Sequence, residues 1–320
     1  MSGAVAREVD VVVVEASLAA AAAAKRLTDA GLEAVVCERK ERPRHEVWSA
    51  LGLLAVAAVV AACASSPHNY LEADRPLYYG SYGVAPSPRP EIRVVTFNIE
   101  YGIKVDQAIQ ALTSQPALQS PDVLLLQEMD APGVEAIAKI LAMNYAYCPS
   151  SVNPKTKRDV GTAVLSPWPM VERFKVRLPH LARMSGHARS VVGARVRIDG
   201  RDVDVYSVHF GTLLGLSGSQ RREQLQAVVD DAGKRSDPVL VGGDFNSKDL
   251  AEHLASSGFA WPTRETGKTW KIFAFDHILA RGLGDFSGAR SGVGREVKGV
   301  SDHYPLWLTF PAMGRASGSW

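Results

Sequence analysis

From residue 90 onward the chain is a series of short apolar runs, separated by polar turns and by longer amphipathic stretches. The runs at 92–97 and 123–127 are rich in Val, Ile and Leu without strict alternation, the pattern of strands covered on both faces. Segments 105–118 and 133–142 repeat apolar residues three and four apart, so helices are expected there. Further strands are expected at 145–148, 161–166, 171–178, 190–198 and 203–209, with Asp199-Gly200 as a hairpin turn between the last two. A helix at 219–233 puts Leu225, Val228 and Val229 on one face; a strand at 239–241, a helix at 248–256 and strands at 275–280 and 306–310 follow. Strands outnumber helices, and hairpins mix with strand–helix–strand crossings. Periodicity alone therefore says α/β or α+β. There is no internal repeat.

The first ninety residues read differently. Residues 47–62 are uncharged and mostly apolar, and Arg39, Lys40, Arg42 and Arg44 precede them. Such a run is short of the roughly 20 residues a spanning helix needs, and its charged-then-apolar plan is that of a secretory signal. It ends Val60-Ala61-Ala62-Cys63, which resembles a bacterial lipobox, whose cysteine is acylated and becomes the new N-terminus. Segment 64–90, rich in Pro, Tyr and Gly, then reads as a tether. A buried helix or an uncleaved membrane anchor are the alternatives for 47–62.

Upstream, 10–14, 17–30 and 32–37 read strand, Ala-rich helix, strand, with Glu38 following; this resembles the opening of a flavin-dependent oxidoreductase. The glycines that such a turn needs are replaced by Glu15-Ala16-Ser17-Leu18-Ala19-Ala20. Glu15 would set a carboxylate where a diphosphate must sit, so no dinucleotide cofactor is expected. The organisation read is therefore 1–46 a degenerate or mis-started extension, 47–63 signal and lipobox, 64–90 linker, 91–310 the main domain and 311–320 a tail. Export as a lipoprotein to the periplasm, outer membrane or cell surface is expected, and a cytoplasmic location if residues 1–40 are translated and bury the signal.

Composition narrows the picture only a little. With 36 Lys and Arg against 34 Asp and Glu, the net charge of +2 does not announce a nucleic-acid binder, although a local patch would suffice for one. Three cysteines, Cys37, Cys63 and Cys148, offer neither a zinc spacing nor a disulfide framework. A monomer is expected.

The candidate chemistry lies in five motifs that end or follow β-type runs: Thr96-Phe97-Asn98-Ile99-Glu100, Leu126-Gln127-Glu128, Val208-His209-Phe210, Gly242-Gly243-Asp244-Phe245-Asn246 and Ser301-Asp302-His303. Each delivers Asn, Glu, Asp or His, the side chains that hold a hard metal ion and move protons around a phosphate. A carboxylate such as Glu128 at the end of a buried strand is costly unless paired or metal-bound. Asp244 and Asn246, two apart, are expected to point the same way.

In this order the motifs resemble the endonuclease/exonuclease/phosphatase superfamily, the fold of DNase I, the apurinic endonucleases, the sphingomyelinases and the inositol-polyphosphate phosphatases. The resemblance covers about 91–310. It implies a four-layer α/β/β/α sandwich of two mixed β-sheets flanked by helices, and a Mg²⁺-dependent phosphoesterase in which Mn²⁺ can substitute. It implies Glu128 as principal metal ligand with Asn98 and Asp302 beside it, and Asp244 as the group that activates water. Asn246 and His303 would stabilise the phosphoryl oxygens, Asp276 would orient His303, and His209 would serve the phosphate or the leaving group. Arg189 and Arg221 would border the site, and Lys155-Thr156-Lys157-Arg158 would steer phosphate or be a solvated loop. The substrate is a phosphodiester (or phosphomonoester), of nucleic acid, lipid head group or small molecule. No aromatic membrane-docking hairpin of the sphingomyelinase kind stands out. The other reading is a non-catalytic surface lipoprotein that uses the cleft for phosphate ligands.

Overall fold

The structure is a computed structural model, and it describes residues 11–13, 34–36, 68–235, 238–297 and 299–312. Strands β1 (Val11–Val13) and β2 (Ala34–Val36) pair in parallel, and the Ala-rich segment 17–30 expected between them as a helix lies outside the described residues. They belong to a unit, 1–64, separate from the compact unit 65–320. Glu15, Glu38, the apolar run 47–62 and Cys63 lie outside the described residues.

The second unit runs β3 (Tyr78–Gly80), β4 (Glu91–Asn98), α1 (Val105–Ser114), β5 (Val123–Met129), α2 (Ala131–Ile140), β6 (Asn144–Val152), β7 (Asp159–Ser166), β8 (Met170–Arg177), β9 (Ser190–Ile198) and β10 (Arg201–His209). It continues with α3 (Gly218–Gly233), β11 (Val239–Asp244), α4 (Lys248–Ser256), β12 (Asp276–Arg281), β13 (Arg290–Val293) and β14 (Leu306–Pro311). Two mixed sheets result, one ordered β13-β14-β4-β5-β7-β6-β3 and the other β12-β11-β10-β9-β8. The pairs β4–β5 and β10–β11 are parallel; the rest are antiparallel.

The unbroken apolar runs have a direct cause. Alternate residues of one strand enter different cores. Val94 and Leu125 join Val192, Val205 and Ile278 between the sheets. Their neighbours Val95, Leu124 and Leu126 pack on Leu112 of α1 and on Val134 and Ile137 of α2. Tyr206, Val208 and Val241 of the second sheet meet Leu225 and Val228 of α3 and Leu250 and Leu254 of α4. This is the expected four-layer sandwich, and both faces of its central strands are dry.

Several boundaries shift for local reasons. Helix α1 stops at Ser114 because Gln115, extended at φ −84° and ψ 119°, precedes Pro116. Helix α2 begins before Gly133 because Asp130 caps it, accepting from Gly133 N at 3.0 Å, with Pro132 in the first turn. From His68 on, the segment read as a tether runs along β6: Asn69 bridges Ser151, and β3 pairs with 145–147.

Because β4, β5, β10 and β11 all point the same way, their C-terminal ends form one rim. The starts of β12 and β14 lie there too, and so do the β8–β9 and β6–β7 loops. All five motifs meet at this rim.

Candidate catalytic centre

Glu128 is placed by an irregularity. The pairing of β5 with β7 shifts register between Leu126 and Met129, and Glu128 takes φ +57°. A bulge with a left-handed non-glycine residue turns a carboxylate out of the sheet at the cost of backbone strain. The Oε2 of Glu128 accepts from Tyr101 N at 3.2 Å, and its Oε1 lies 3.8 Å from His209 Nε2. Burial pushes its pKa up, and Asp302 adds to the push, while Arg189 and His303 oppose it. Beneath it, Gln127 Nε2 donates to Ser207 Oγ at 3.1 Å, Ser207 Oγ donates to Leu126 O at 3.1 Å, and Thr96 Oγ1 donates to Gln127 Oε1 at 3.2 Å. This buried chain ties the two sheets together directly below the rim.

Asp244 ends β11. The preceding Gly243 has φ +144°, and a Cβ there would stand 2.1 Å from Val208 O, so only glycine allows β10 and β11 to approach this closely. The Asp244 carboxylate is fully enclosed. Its Oδ1 accepts from Asn246 N at 2.8 Å, and its Oδ2 accepts from Asn98 Nδ2 at 3.1 Å. His209 Nε2 and His303 Nε2 lie 3.5 and 3.7 Å from the same Oδ2. Burial pushes Asp244 up to about 7, against the pull of His303. Asn246, at φ +51°, aims its Nδ2 at Phe210 O, 3.0 Å away. Asn98 Oδ1 accepts from Glu100 N at 3.1 Å, which fixes the amide with its donor toward Asp244.

His303 Nδ1 meets Asp276 Oδ2 at 2.8 Å. Burial alone would lower this imidazole. Asp276 first and Asp244 second overcome it and hold the pKa near 10, so the ring is a cation at neutral pH. His209 is the opposite case. It is buried beside Arg189 and His303, and its pKa falls well below the ordinary value. One site thus holds a charged and a neutral histidine on either side of one carboxylate.

The structure therefore gathers Asn98, Glu128, His209, Asp244, Asn246, Asp276 and His303. Asp302 is at the edge: its Oδ2 accepts from Trp270 Nε1 at 2.9 Å, and it reaches Glu128 only through its charge. Arg158 of the basic loop is engaged with Asp130 at 2.7 Å, so part of that loop's charge supports the start of α2. Arg221 is buried, with its Nε and Nη1 unpartnered among the described residues. His277, beside Asp276, faces away, and its Nε2 donates to Ala274 O at 3.0 Å.

Thr269 is a contributor that the motifs did not reveal. Its Oγ1 accepts from Phe275 N and Asp276 N, each at 3.1 Å, and its carbonyl accepts from Tyr304 N at 2.8 Å. It holds the Asp276 and His303 segments in register, and a lone loop threonine gives no sequence signal of that.

Two groupings offer metal ligands. Asp244, Asp276 and His303 each present one ligand atom within 4.8 Å of the others, though Asp276 is already bonded to His303. Glu128 and Asp302, near enough for their charges to interact, offer further carboxylate oxygens, the ligand type that a hard divalent ion takes.

Comparison with known proteins gives a concordant picture. A model described as the Endonuclease/Exonuclease/phosphatase family matches residues 95–303. Among solved structures, an endonuclease/exonuclease/phosphatase from Beutenbergia cavernae DSM 12333 superposes with a TM-score of 0.56 at 21% identity, covering 71% of this chain and 72% of that one. Humanized D. rerio TDP2 carrying 14 mutations gives 0.54 at 18%, covering 70% of this chain and 100% of the other. Sphingomyelinase C from Streptomyces griseocarneus gives 0.52 at 20%, covering 69% and 100%. No curated protein matches the chain.

Proposed function

The chain belongs to the endonuclease/exonuclease/phosphatase family, and from that premise we propose that it is a Mg²⁺-dependent phosphodiesterase whose attacking water is activated by Asp244. The observation that carries this reading is the Asp244 carboxylate itself. It is enclosed, held on both oxygens by Asn98 and Asn246, and flanked by His209 and His303.

A carboxylate raised to about 7 is a strong enough base to take a proton from water near neutral pH. The hydroxyl oxygen attacks phosphorus, and the bond from phosphorus to the departing ester oxygen breaks. His303 is already charged and is fixed by Asp276, so it donates to a phosphoryl oxygen as negative charge grows there. Asn246, whose Nδ2 lies 3.5 Å from Asp244 Oδ2, would add a neutral donor. His209, held neutral, serves as a hydrogen-bonding group for phosphate rather than as a store of a proton. Glu128, with Asn98 and Asp302, is the oxygen set that would hold Mg²⁺, or Mn²⁺ in its place. When bound, such an ion draws charge from a phosphoryl oxygen. We also propose that the enzyme works as a monomer, exported and anchored through an acylated Cys63.

The test is a pair of assays, plasmid nicking and hydrolysis of bis(p-nitrophenyl) phosphate, with Mg²⁺, with EDTA and with Asp244→Asn. Activity abolished by EDTA and reduced roughly 10²–10⁴-fold in the variant is the expected result. Activity that survives both treatments would sink the assignment.

A further inference from the structure

Exposed apolar side chains scattered singly need no explanation, but a group of them around one site does. Of the fourteen large apolar side chains that stand exposed among the described residues, six lie on three loops of the catalytic rim: Leu181, Met184, Leu213, Leu214, Ile272 and Phe273. Leu214 is 84% exposed and Ile272 68%. These loops are not loose. Arg183 N donates to Gly215 O at 2.9 Å and so locks the Leu181–Met184 loop to the Leu213–Leu214 loop; together with Tyr101 and Arg189 they line a cavity of about 250 Å³ beside the site. Across the site, Phe273 N closes a turn on Trp270 O at 2.7 Å, with Trp270, Phe273 and Phe275 stacked behind it. Cations sit among the apolar groups: Arg183 follows Leu181, and Lys271 precedes Ile272, its Nζ 4.1 Å from the Trp270 ring centre. Apolar tips with basic neighbours are the composition of a surface that enters the boundary of an anionic bilayer.

A second observation is independent of exposure. The chain joins the domain at this same rim. Tyr70 N donates to Ser150 O, Val152 N donates to His68 O, and the Asn69 side chain donates to Gly186 O and accepts from Ala188 N, both at 2.9 Å. The strand is thus fastened to the loop that carries Met184. Five Cα steps separate His68 from Cys63, a reach of at most about 19 Å. An anchor at Cys63 would therefore hold this edge of the rim within that distance of the bilayer.

We propose that the catalytic rim lies on a lipid bilayer, seated through Leu181, Met184, Leu213, Leu214, Ile272 and Phe273, and that the phosphodiesters it meets are those of lipid head groups. The docking stands on the rim alone; the substrate class rests on the hydrolytic reading above.

Hydrogen exchange tests the docking. The full chain is reconstituted into vesicles of phosphatidylcholine and phosphatidylglycerol and compared with the same chain carrying Leu213→Ser and Ile272→Ser. Slower exchange at 181–187, 211–216 and 270–274 in the unmutated chain, with no difference at the opposite end of the sheets, is expected. Equal exchange in the two chains overturns the proposal, as does protection of these loops by duplex DNA and not by vesicles. The second readout is hydrolysis. The variant is expected to keep its rate on bis(p-nitrophenyl) phosphate and to lose roughly a hundredfold on head-group diesters in vesicles, about a factor of ten for each lost apolar insertion. If neither chain hydrolyses the soluble diester, the hydrolytic reading fails while the exchange result still decides the docking.

Discussion

At the scale of single residues, the centre works by setting like groups in unlike surroundings. His209 and His303 both face Asp244 Oδ2, yet one is neutral and the other charged, because only His303 has a carboxylate, Asp276, on its far nitrogen. Asp276→Asn should therefore lower activity roughly 10–100-fold, the usual effect of losing such an orienting partner. It should also move the alkaline limb of the kcat/KM profile. In the unmutated chain the His303 cation persists to about pH 10; without Asp276 it should titrate closer to the ordinary 6.5. A profile that does not move would show that His303 charge is not what the rate requires. The residues gathered here were legible in the sequence because five polar motifs flank apolar strands in the order of a known superfamily; any one of them alone would pass for a turn or a helix start. Thr269 and the Thr96–Gln127–Ser207 chain were not legible, since their partners are backbone groups or residues distant in sequence that only the folded sheets bring within reach. The bond from Asp302 to Trp270 was hidden for the same reason.

At the scale of elements, the rim depends on two departures from regular strands. One is the bulge that turns Glu128 out at φ +57°; the other is Gly243, at φ +144°, against Val208. Gly243→Ala would combine backbone strain with a Cβ 2.1 Å from a carbonyl oxygen, and each effect is worth about 1–3 kcal/mol. Urea unfolding should show a loss of about 2–6 kcal/mol, accompanied by weaker catalysis, because β10 and β11 carry His209 and Asp244 at adjacent ends. A variant as stable and active as the unmutated chain would mean that the two strands have slack. The sequence marked both places by composition, Gly-Gly before Asp and Gln-Glu after leucines. It could not show the shift in register, which follows from how β5 meets β7. Strands β3 and β13 escaped notice because Tyr78–Gly80 and Arg290–Val293 are short edge strands, half exposed, without an apolar run to reveal them.

At the scale of the whole molecule, stability and pH are linked through groups with opposite signs. His277 is buried edge-on against Phe245 and Trp261, and burial drives its pKa down to about 4. The folded chain refuses a proton that the unfolded chain binds below about 6.5. The stability tied to His277 is thus complete above 6.5 and lost as pH falls through 4, an effect of about 3 kcal/mol. Asp244 acts the other way. Raised to about 7, it takes up a proton in the folded chain between 7 and roughly 4 while the unfolded carboxylate stays ionised, so its contribution to stability grows as pH falls. His303, raised to about 10, stays charged in both states below 6.5 and is silent there; the stability it adds disappears as pH rises through 10. Unfolding free energies measured in EDTA should then be nearly level from pH 6.5 to 4 and should decline toward pH 10. Asp244→Asn removes one of the two raised carboxylates and leaves only Glu128 against the buried imidazoles His277 and His209, so that variant should lose more stability than the unmutated chain from pH 6.5 to 4 while remaining folded at neutral pH. His277→Phe should do the reverse and gain stability over the same range. If Asp244→Asn stays level instead, the balance among these buried groups is not what sets the acid side of the curve.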